Sequence, residues 1–445
     1  MSFEPFSSRA YLDTLPLRWL FLDLNSYFAS VEQQLNPSLR GKPVIVAPAE
    51  SEYTCAIAAS AEAKKLGIKT GTIIADARSL CPGLHVVLAH HDQYVRFHHR
   101  IVAEVWNHIP VSTVCSIDEV ACELMGRERA PAAAMDIARR IKRGIRDNVG
   151  ECLTSSIGLA PTRLLAKIAS DMQKPDGLTV IEGRHLPGKL LNLELTDLPG
   201  VGRNMERRLL AAGIGDIAAL WRLQPRQARQ VWGSVEGERF WYALHGLDLP
   251  ERETQRHSIG HSHVMAKTMR AMPAARLVAR RLLLKAASRL RRFEMAAAGL
   301  VLHLRFEGEK GAGGPWEKRK PWEDGGGWAA DARFAPTQDS FALLGELETM
   351  WSNLRRDHDG RRLKAVGVVL HSLHHASHVT RDLFAAPQSE AETQRGIKLF
   401  NAVDRINKRY GHDTVALGVL PGEIAKYVGA KIAFTRIPEM AEFDE

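Results

Sequence analysis

The chain has 445 residues, of which 45% are hydrophobic and 25% charged, and its formal net charge at pH 7 is +9. This length and composition are typical of a globular protein of several domains, without the run of roughly 18–20 apolar residues that a membrane span requires and without a secretory signal. The five cysteines form no CxxC pair, which argues against a disulfide framework or a structural zinc site, so we expect a soluble, cytoplasmic protein.

Strand and helix patterns alternate through the first part of the chain. The apolar run at 18–24 predicts a strand, and helical spacing begins directly after it at Asn25, so Asp23 lies near the carboxyl end of that strand. A second apolar run, at 110–124, predicts a strand that carries Asp118 and Glu119 side by side. The other elements predicted here are strands at 43–48 and 153–160 and helices at 60–67, 73–83, 92–109, 131–148 and 161–172. This order predicts a mixed α/β unit in which carboxylates of two strands meet at one end of a sheet.

The pattern changes after residue 183. Residues 187–250 have the spacing of short helices around a turn at 198–202, and 251–257 has the polar composition of a linker. Beyond it we predict strands at 258–265, 299–307 and 363–373 and helices at 273–292, 339–356 and 397–410. These elements predict a βαββαβ-type layer, with the glycine-rich stretch 309–328 as a loop between strands.

Positive charge is concentrated in residues 251–300, which contain eleven Lys and Arg against three Glu, a net charge of +8. Such an excess suits a polyanion such as a nucleic-acid backbone, because basic side chains neutralise phosphates and release counterions. A solvated helix face is the commoner explanation of a charge run. Charge alone therefore leaves both interpretations open.

Asp23, Asp118 and Glu119 have the chemistry of a divalent-metal site. Mg²⁺ prefers hard oxygen ligands and is usually shared between carboxylates and substrate phosphates. Two such ions, about 4 Å apart, can activate an attacking oxygen and stabilise a leaving one. The alternative is that Asp118 and Glu119 only mark a strand end that enters solvent, and spacing alone does not decide between the two.

Four segments carry a family resemblance. They begin DLNSYFASVEQQL at Asp23, CAIAASAEAKKLG at Cys55, SIDE at Ser116 and SIGLAPTRLLAKIASDMQKPDGL at Ser156. In this order and spacing they resemble the Y-family translesion DNA polymerases. The start at Asp23, the run 61–64 and the segment 336–340 particularly resemble the UmuC branch of that family.

The resemblance implies an α+β multidomain fold, a right-hand polymerase with an added domain. Its parts would be a palm at 1–26 and 93–183, fingers at 27–92, a helix-hairpin-helix thumb at 184–250, a linker at 251–257, a βαββαβ-type little finger at 258–422 and a C-terminal tail at 423–445. The implied activity is that of a DNA-directed DNA polymerase adding dNTPs to a primer 3′-hydroxyl in translesion synthesis. A catalytically silent DNA-binding adaptor of the same fold is the alternative.

The family motifs also imply roles for single residues. Asp23, Asp118 and Glu119 would hold two Mg²⁺ ions, with the backbone carbonyl of Leu24 as a further ligand. Asn25 carries a neutral amide, which is a poor substitute for a carboxylate ligand.

The nucleotide site follows from the same motifs. Phe28, with Tyr27 beside it, would face the incoming nucleotide, Phe28 as the steric gate against a ribose 2′-hydroxyl. The alternative for both rings is packing in the core. Lys64 and Lys167 would bind the triphosphate, Lys64 with less geometric control than the arginine of many relatives.

One departure concerns Ala58 and Ala61, where many relatives have a hydroxyl residue and a tyrosine that hydrogen-bond the phosphates. Those two contacts are absent here. The small side chains of this segment predict a roomy pocket above the nascent base pair, which would help to accept damaged templates.

DNA contacts and partners are implied further along the chain. The residues expected to contact the DNA backbone are Gly200, Gly202 and Arg203 of the thumb and Arg276, Arg280 and Arg281 of the basic helix. The segment 380–384 loosely resembles a peptide that binds the sliding clamp, with Leu383 and Phe384 as apolar anchors. A packed loop is the alternative, because the leading Gln of such peptides is missing. Primer-template DNA and dNTPs are the expected ligands, and the sliding clamp and proteins of the UmuD or RecA type are candidate partners.

Overall fold

The computed structural model describes residues 8–250, 256–307, 327–379, 387–411, 414–417 and 437. The described residues up to 250 belong to one compact unit and those from 256 to 417 to another. The division falls at residue 251, where the sequence predicted a linker, most of which lies outside the described residues. None of the described helices is long and apolar enough to cross a membrane.

The first unit is built on a five-stranded sheet in the order β5-β6-β1-β7-β8. Its strands are β1 (Trp19–Leu24), β5 (Thr113–Val114), β6 (Glu119–Glu123), β7 (Ser155–Ala160) and β8 (Leu178–Val180). The central strand β1 is antiparallel to both β6 and β7, while β8 is parallel to β7. Because β1 has neighbours on both edges and helices on both faces, its sequence is a continuous apolar run.

The prediction of one continuous strand over 110–124 was wrong. β5 and β6 form a hairpin in which Thr113 lies opposite Ala121, and residues 116–118 bend between the two strands. The Ser116 hydroxyl accepts a hydrogen bond from the N–H of Asp118 (3.3 Å) and donates one to its Oδ1 (2.6 Å). Such local side-chain bonds compete with strand pairing and favour a turn.

Helices cover both faces of this sheet. They are α1 (Arg9–Asp13), α2 (Tyr27–Leu35), α5 (His91–Trp106), α6 (Pro131–Gly144) and α7 (Arg163–Met172), whereas α3 (Ala61–Lys65) and α4 (Ile74–Leu80) pack with the three-stranded sheet of the same unit. Leu20 and Leu22 pack with buried residues of α5 and α6, whereas Phe21 packs with residues of α7. Since side chains alternate along a strand, Asp23 shares the face of Phe21 and points toward α7.

A three-stranded sheet and four short helices complete the first unit. The sheet has the order β3-β2-β4, with β2 at Val44–Ala47, β3 at Ala58–Ala59 and β4 at His85–Leu88. The helices are α8 (Arg203–Ala211), α9 (Ile217–Trp221), α10 (Pro225–Trp232) and α11 (Val235–Leu244). The short helices predicted for 187–250 are therefore confirmed, whereas β3, β4 and β8 were not predicted.

The second unit is a four-stranded antiparallel sheet in the order β11-β10-β12-β9, with helices packed on it. In chain order its elements are β9 (Ser258–Val264), α12 (Met272–Arg292), β10 (Met295–Phe306), β11 (Gly327–Thr337), α13 (Ser340–His358), β12 (Leu363–His375) and α14 (Pro387–Tyr410). The predicted βαββαβ order is confirmed, although β11 was not among the strands predicted by position. Most of the predicted loop at 309–328 lies outside the described residues.

Candidate active site

The predicted carboxylates meet where β1 and β6 pair. Asp23 lies directly opposite Glu119 in the antiparallel register, and the N–H of Leu24 donates to the carbonyl of Asp118 over 2.9 Å. Directly opposed residues on one face of an antiparallel pair have neighbouring side chains. Asp23 and Glu119 therefore approach each other, and the hairpin turn brings Asp118 beside them.

Two lysines bind this carboxylate cluster. Nζ of Lys167, on α7, donates to Oδ2 of Asp23 and lies 2.8 Å from Oε1 of Glu119 and 3.2 Å from Oδ1 of Asp171. Nζ of Lys174 lies 2.8 Å from the same Asp23 oxygen and 2.7 Å from Oδ1 of Asp171. Two ammonium groups thus converge on one oxygen of Asp23, which marks a position that favours positive charge.

Lys174 and Asp171 were missed by the sequence analysis. Both lie in the motif segment that begins at Ser156, but the family resemblance singled out Lys167 alone. Lys167 was predicted to bind triphosphate, and in the structure it binds the carboxylates. A signal was available, because an acid and a lysine three residues apart at the end of a helix form a local ion pair.

The carboxylates and Lys167 shift each other's protonation. Burial raises the pKa of Asp118, and the charges of Asp23 and Glu119 raise it further against the opposing hydrogen bond from Ser116. Burial alone would lower the pKa of Lys167, but the neighbouring carboxylates outweigh it and raise that pKa above its usual range. A cation beside these carboxylates would therefore favour the ionised form of Asp118.

The donor set fits a divalent cation, although the side chains as they stand do not enclose one. Within the described residues, no group of three His, Cys, Asp or Glu side chains is arranged to hold a metal ion. Three carboxylates supply the hard oxygens that Mg²⁺ prefers. The two lysines that now neutralise them have flexible stems, so a stronger cation could displace their ammonium groups. Leu24 ends β1 beside this cluster.

The two rings predicted to face the nucleotide are buried at the start of α2. Phe28 stacks on Tyr94 of α5, with ring centroids 4.4 Å apart and planes inclined by 17°. The hydroxyl of Tyr27 donates to the carbonyl of Tyr94 over 2.6 Å. Both rings therefore pack in the core, as the alternative interpretation expected. The gate role of Phe28 remains a prediction. Asn25 acts structurally, because its side-chain oxygen accepts from the N–H of Asp176 over 2.8 Å.

Lys64 belongs to the same site. It lies in the last turn of α3, where burial and the charge of Lys174 lower its pKa while Asp23 opposes the shift. Lys64 and Lys174 therefore face one region and repel each other. Ala58 lies buried in β3, and Ala61 opens α3 on the exposed side.

The residues predicted to contact DNA differ in their structural surroundings, and those of the predicted thumb are open. Gly200 has a φ of +87°, and a Cβ at Gly200 or Gly202 would meet no atom within 4 Å, so close packing does not explain either glycine. Gly202 caps α8, whose first residue is Arg203. These three residues present an open helix N-terminus, as the prediction requires.

The basic helix α12 is engaged within its own unit. Arg276 and Arg280 both form ion pairs with Glu348 of α13, which neutralises part of the predicted DNA-binding charge. Arg281 lies near His263, whose pKa is lowered by burial and by the nearby charges of Lys285 and Arg281. The DNA-binding role of these arginines stays a prediction. The predicted clamp anchors Leu383 and Phe384 lie outside the described residues.

Similar proteins were found along most of the chain. Residues 22–171 match the impB/mucB/samB family, and residues 256–383 match the C-terminal domain of the same family. The DNA polymerase IV of Moorella thermoacetica is 33% identical over 418 residues, which cover 91% of this chain and 98% of that protein. The DNA polymerase IV of Pelotomaculum thermopropionicum is 36% identical over 248 residues, covering 54% and 61% of the two chains.

A solved structure shares the fold. A Y-family DNA polymerase chimera of Dbh and Dpo4 superposes with a TM-score of 0.64 at 23% identity, covering 80% of this chain and 98% of the chimera. The matched 80% of this chain is longer than either compact unit, so the likeness extends into both.

Proposed function

Because the chain belongs to the impB/mucB/samB family, the Y family of DNA polymerases, and is a DNA-directed DNA polymerase, we propose that it extends primers through two Mg²⁺ ions held by Asp23, Asp118 and Glu119. One observation carries the proposal: the β1–β6 register brings Asp23 and Glu119 together beside Asp118, whose pKa is raised by burial and then by their charges. Three carboxylates are thus held together at a position where only lysine ammonium groups now compensate their charge. Such an arrangement is typical of a functional site.

The bound ions would lower the pKa of the primer 3′-hydroxyl and balance the charge of the departing pyrophosphate. The chain's own residues prepare that chemistry. Asp118, whose pKa is raised by burial and by its neighbours, would ionise more readily as cation charge arrives. Lys167, the more buried of the two lysines at 18% exposure against 37% for Lys174, would keep Asp23 and Glu119 oriented while the site fills.

Lys64 and Lys174 are the best candidates to bind the triphosphate. They repel each other across a region that also faces Asp23, and a polyanion between them would relieve that repulsion. Lys174 is the more exposed lysine at Asp23, so it can leave that carboxylate at lower cost. Lys167, predicted from the family motif, remains a candidate for the same role. Phe28, which stacks on Tyr94, would then act as the steric gate against a ribose 2′-hydroxyl.

We further propose that the activity serves translesion synthesis. Ala58 and Ala61 place small side chains on the side of the pocket that would face the phosphates and the base pair. The space that they leave supports tolerance of distorted templates. Closeness to the UmuC branch, binding to a sliding clamp and dependence on UmuD-like or RecA-like proteins remain predictions.

Primer extension with Mg²⁺ and dNTPs tests the enzyme against the silent adaptor. We expect the double variant Asp118→Ala and Glu119→Ala to lose extension while its affinity for primer-template DNA, measured by fluorescence anisotropy, is nearly unchanged. Glu123→Gln is the matched control, because Glu123 lies on the same strand β6 but pairs with Arg18 at 3.1 Å. Extension by the double variant at the wild-type rate would rule out the proposed site.

A further inference from the structure

The turn that carries Asp118 is held by hydrogen bonds on each side of one peptide group. The carbonyl of Ile117 accepts from Nδ1 of His98 over 2.8 Å, and the N–H of Asp118 donates to the Ser116 hydroxyl over 3.3 Å. The next carbonyl, that of Asp118 itself, accepts from the N–H of Leu24. The plane of the 117–118 peptide is therefore fixed from α5 on one side and from the turn on the other.

His98 is the unexpected member of this set. It lies on α5 and is 3% exposed, among buried apolar neighbours that include Val95 and Ile101. Burial lowers the pKa of its ring, so at neutral pH the ring is uncharged and has one N–H. A carbonyl oxygen can only accept, so that N–H must be on Nδ1. An apolar side chain would fill this position without needing a partner, which makes the polar contact the reason for a histidine.

We propose that His98 is a positioning residue for Asp118, whose Nδ1–H locks the Ile117 carbonyl so that the Asp118 carboxylate faces Asp23 and Glu119. The inference rests on the proposed function, because it assigns His98 a role in assembling that site. The mutual repulsion of the carboxylates would otherwise favour rotation of the turn away from β1. Ser116 cannot resist this rotation, since it moves with the turn, and the bond from Leu24 holds the carbonyl of Asp118 rather than the 117–118 peptide.

Variants at His98 test the proposal. His98→Leu and His98→Phe remove the N–H but still fill the space of the ring with an aliphatic or aromatic side chain. His98→Asn provides an amide donor near the position of Nδ1. We expect the first two to lower kcat of primer extension about 10- to 100-fold, the usual effect of losing a residue that orients a metal ligand, with little change in KM for dNTP. His98→Asn should recover most of the lost kcat.

A second readout does not depend on activity. Electron paramagnetic resonance of free Mn²⁺ measures metal affinity of the DNA-free protein, and His98→Leu should bind Mn²⁺ more weakly by a comparable factor. His99→Leu is the control, because His99 is the adjacent exposed residue on α5. Wild-type kcat and Mn²⁺ affinity in both apolar variants, or equal losses in His99→Leu, would overturn the proposal.

The two hypotheses fail in different ways. Wild-type protein that does not extend primers refutes the proposed function, and weaker Mn²⁺ binding by His98→Leu would still support the positioning role. If the apolar variants do not fold, ¹⁵N NMR of histidine-labelled wild-type protein decides the matter. We expect the Nδ1–H tautomer at His98, and an Nε2–H tautomer would overturn the proposal, because that ring cannot donate to Ile117.

Discussion

His245 should make the helical region at 203–246 less stable in mild acid. Its ring is fully buried between Trp221 and Trp241, with centroid distances of 3.9 and 3.8 Å. Nδ1 lies 2.8 Å from the carbonyl of Trp241 and Nε2 3.2 Å from that of Trp221. These two carbonyls favour a protonated ring, but burial outweighs them and lowers the pKa of His245 from 6.5 to about 4.

The sign and size of the effect follow from linkage. Between pH 4 and 6.5 the unfolded chain binds a proton that the folded chain does not, so stability rises with pH in this window and is lost as pH falls through it. At 1.36 kcal/mol per pKa unit, the full effect is about 3 kcal/mol, of which about 2 kcal/mol is lost between pH 7.5 and pH 5. Replacement by phenylalanine keeps the stacked ring and removes this dependence.

Native-state hydrogen exchange measures the opening free energy of α9 and α11 directly in the full chain. After correction for intrinsic exchange rates, the wild-type opening population should rise about 30-fold between pH 7.5 and pH 5 relative to that of His245→Phe. Equal pH dependence in the two proteins would refute the reasoning.

Three further outcomes are expected. Lys174→Ala should raise KM for dNTP about tenfold with a smaller change in kcat, as for a lost charge-assisted bond, and steady-state extension kinetics would contradict this if kcat alone fell. Asp118→Asn should raise the melting temperature by about 2 °C at pH 7. The substitution removes a carboxyl whose pKa in the folded protein is raised by burial and by two neighbouring charges, so that its ionised form destabilises the fold. The gain in melting temperature should vanish below pH 3.8, because Asp118 is then protonated in both the folded and the unfolded chain. Asp404→Asn should destabilise the second unit by about 3 kcal/mol in denaturant titrations, because it leaves the charge of the 4%-exposed Arg291 without the carboxylate that it binds at 2.7 and 3.1 Å. Arg291→Met, which leaves only the 26%-exposed Asp404 without a partner, serves as the milder comparison.

The sequence by itself determined the fold class, the family and the identity of the three carboxylates. β1 is recognisable because a strand buried on both faces must be apolar along its length, and Asp23 interrupts that run at its end. The βαββαβ order of the second unit follows from long elements with clear periodicity. Short strands such as β3 and β8 have too few residues to show a period, so they were missed.

Only the tertiary structure decided how these residues are used. The bend at 116–118 depends on bonds from Leu24 and His98, which lie far away in the chain, and helical spacing cannot predict such partners. The ion pairs of Lys167 with Asp23 likewise join residues 144 positions apart. Local patterns encode which segments form strands and helices, whereas the charge environment of each side chain depends on the register and packing of distant segments. That is why the carboxylates could be named from the sequence, but the lysines that neutralise them could not be assigned.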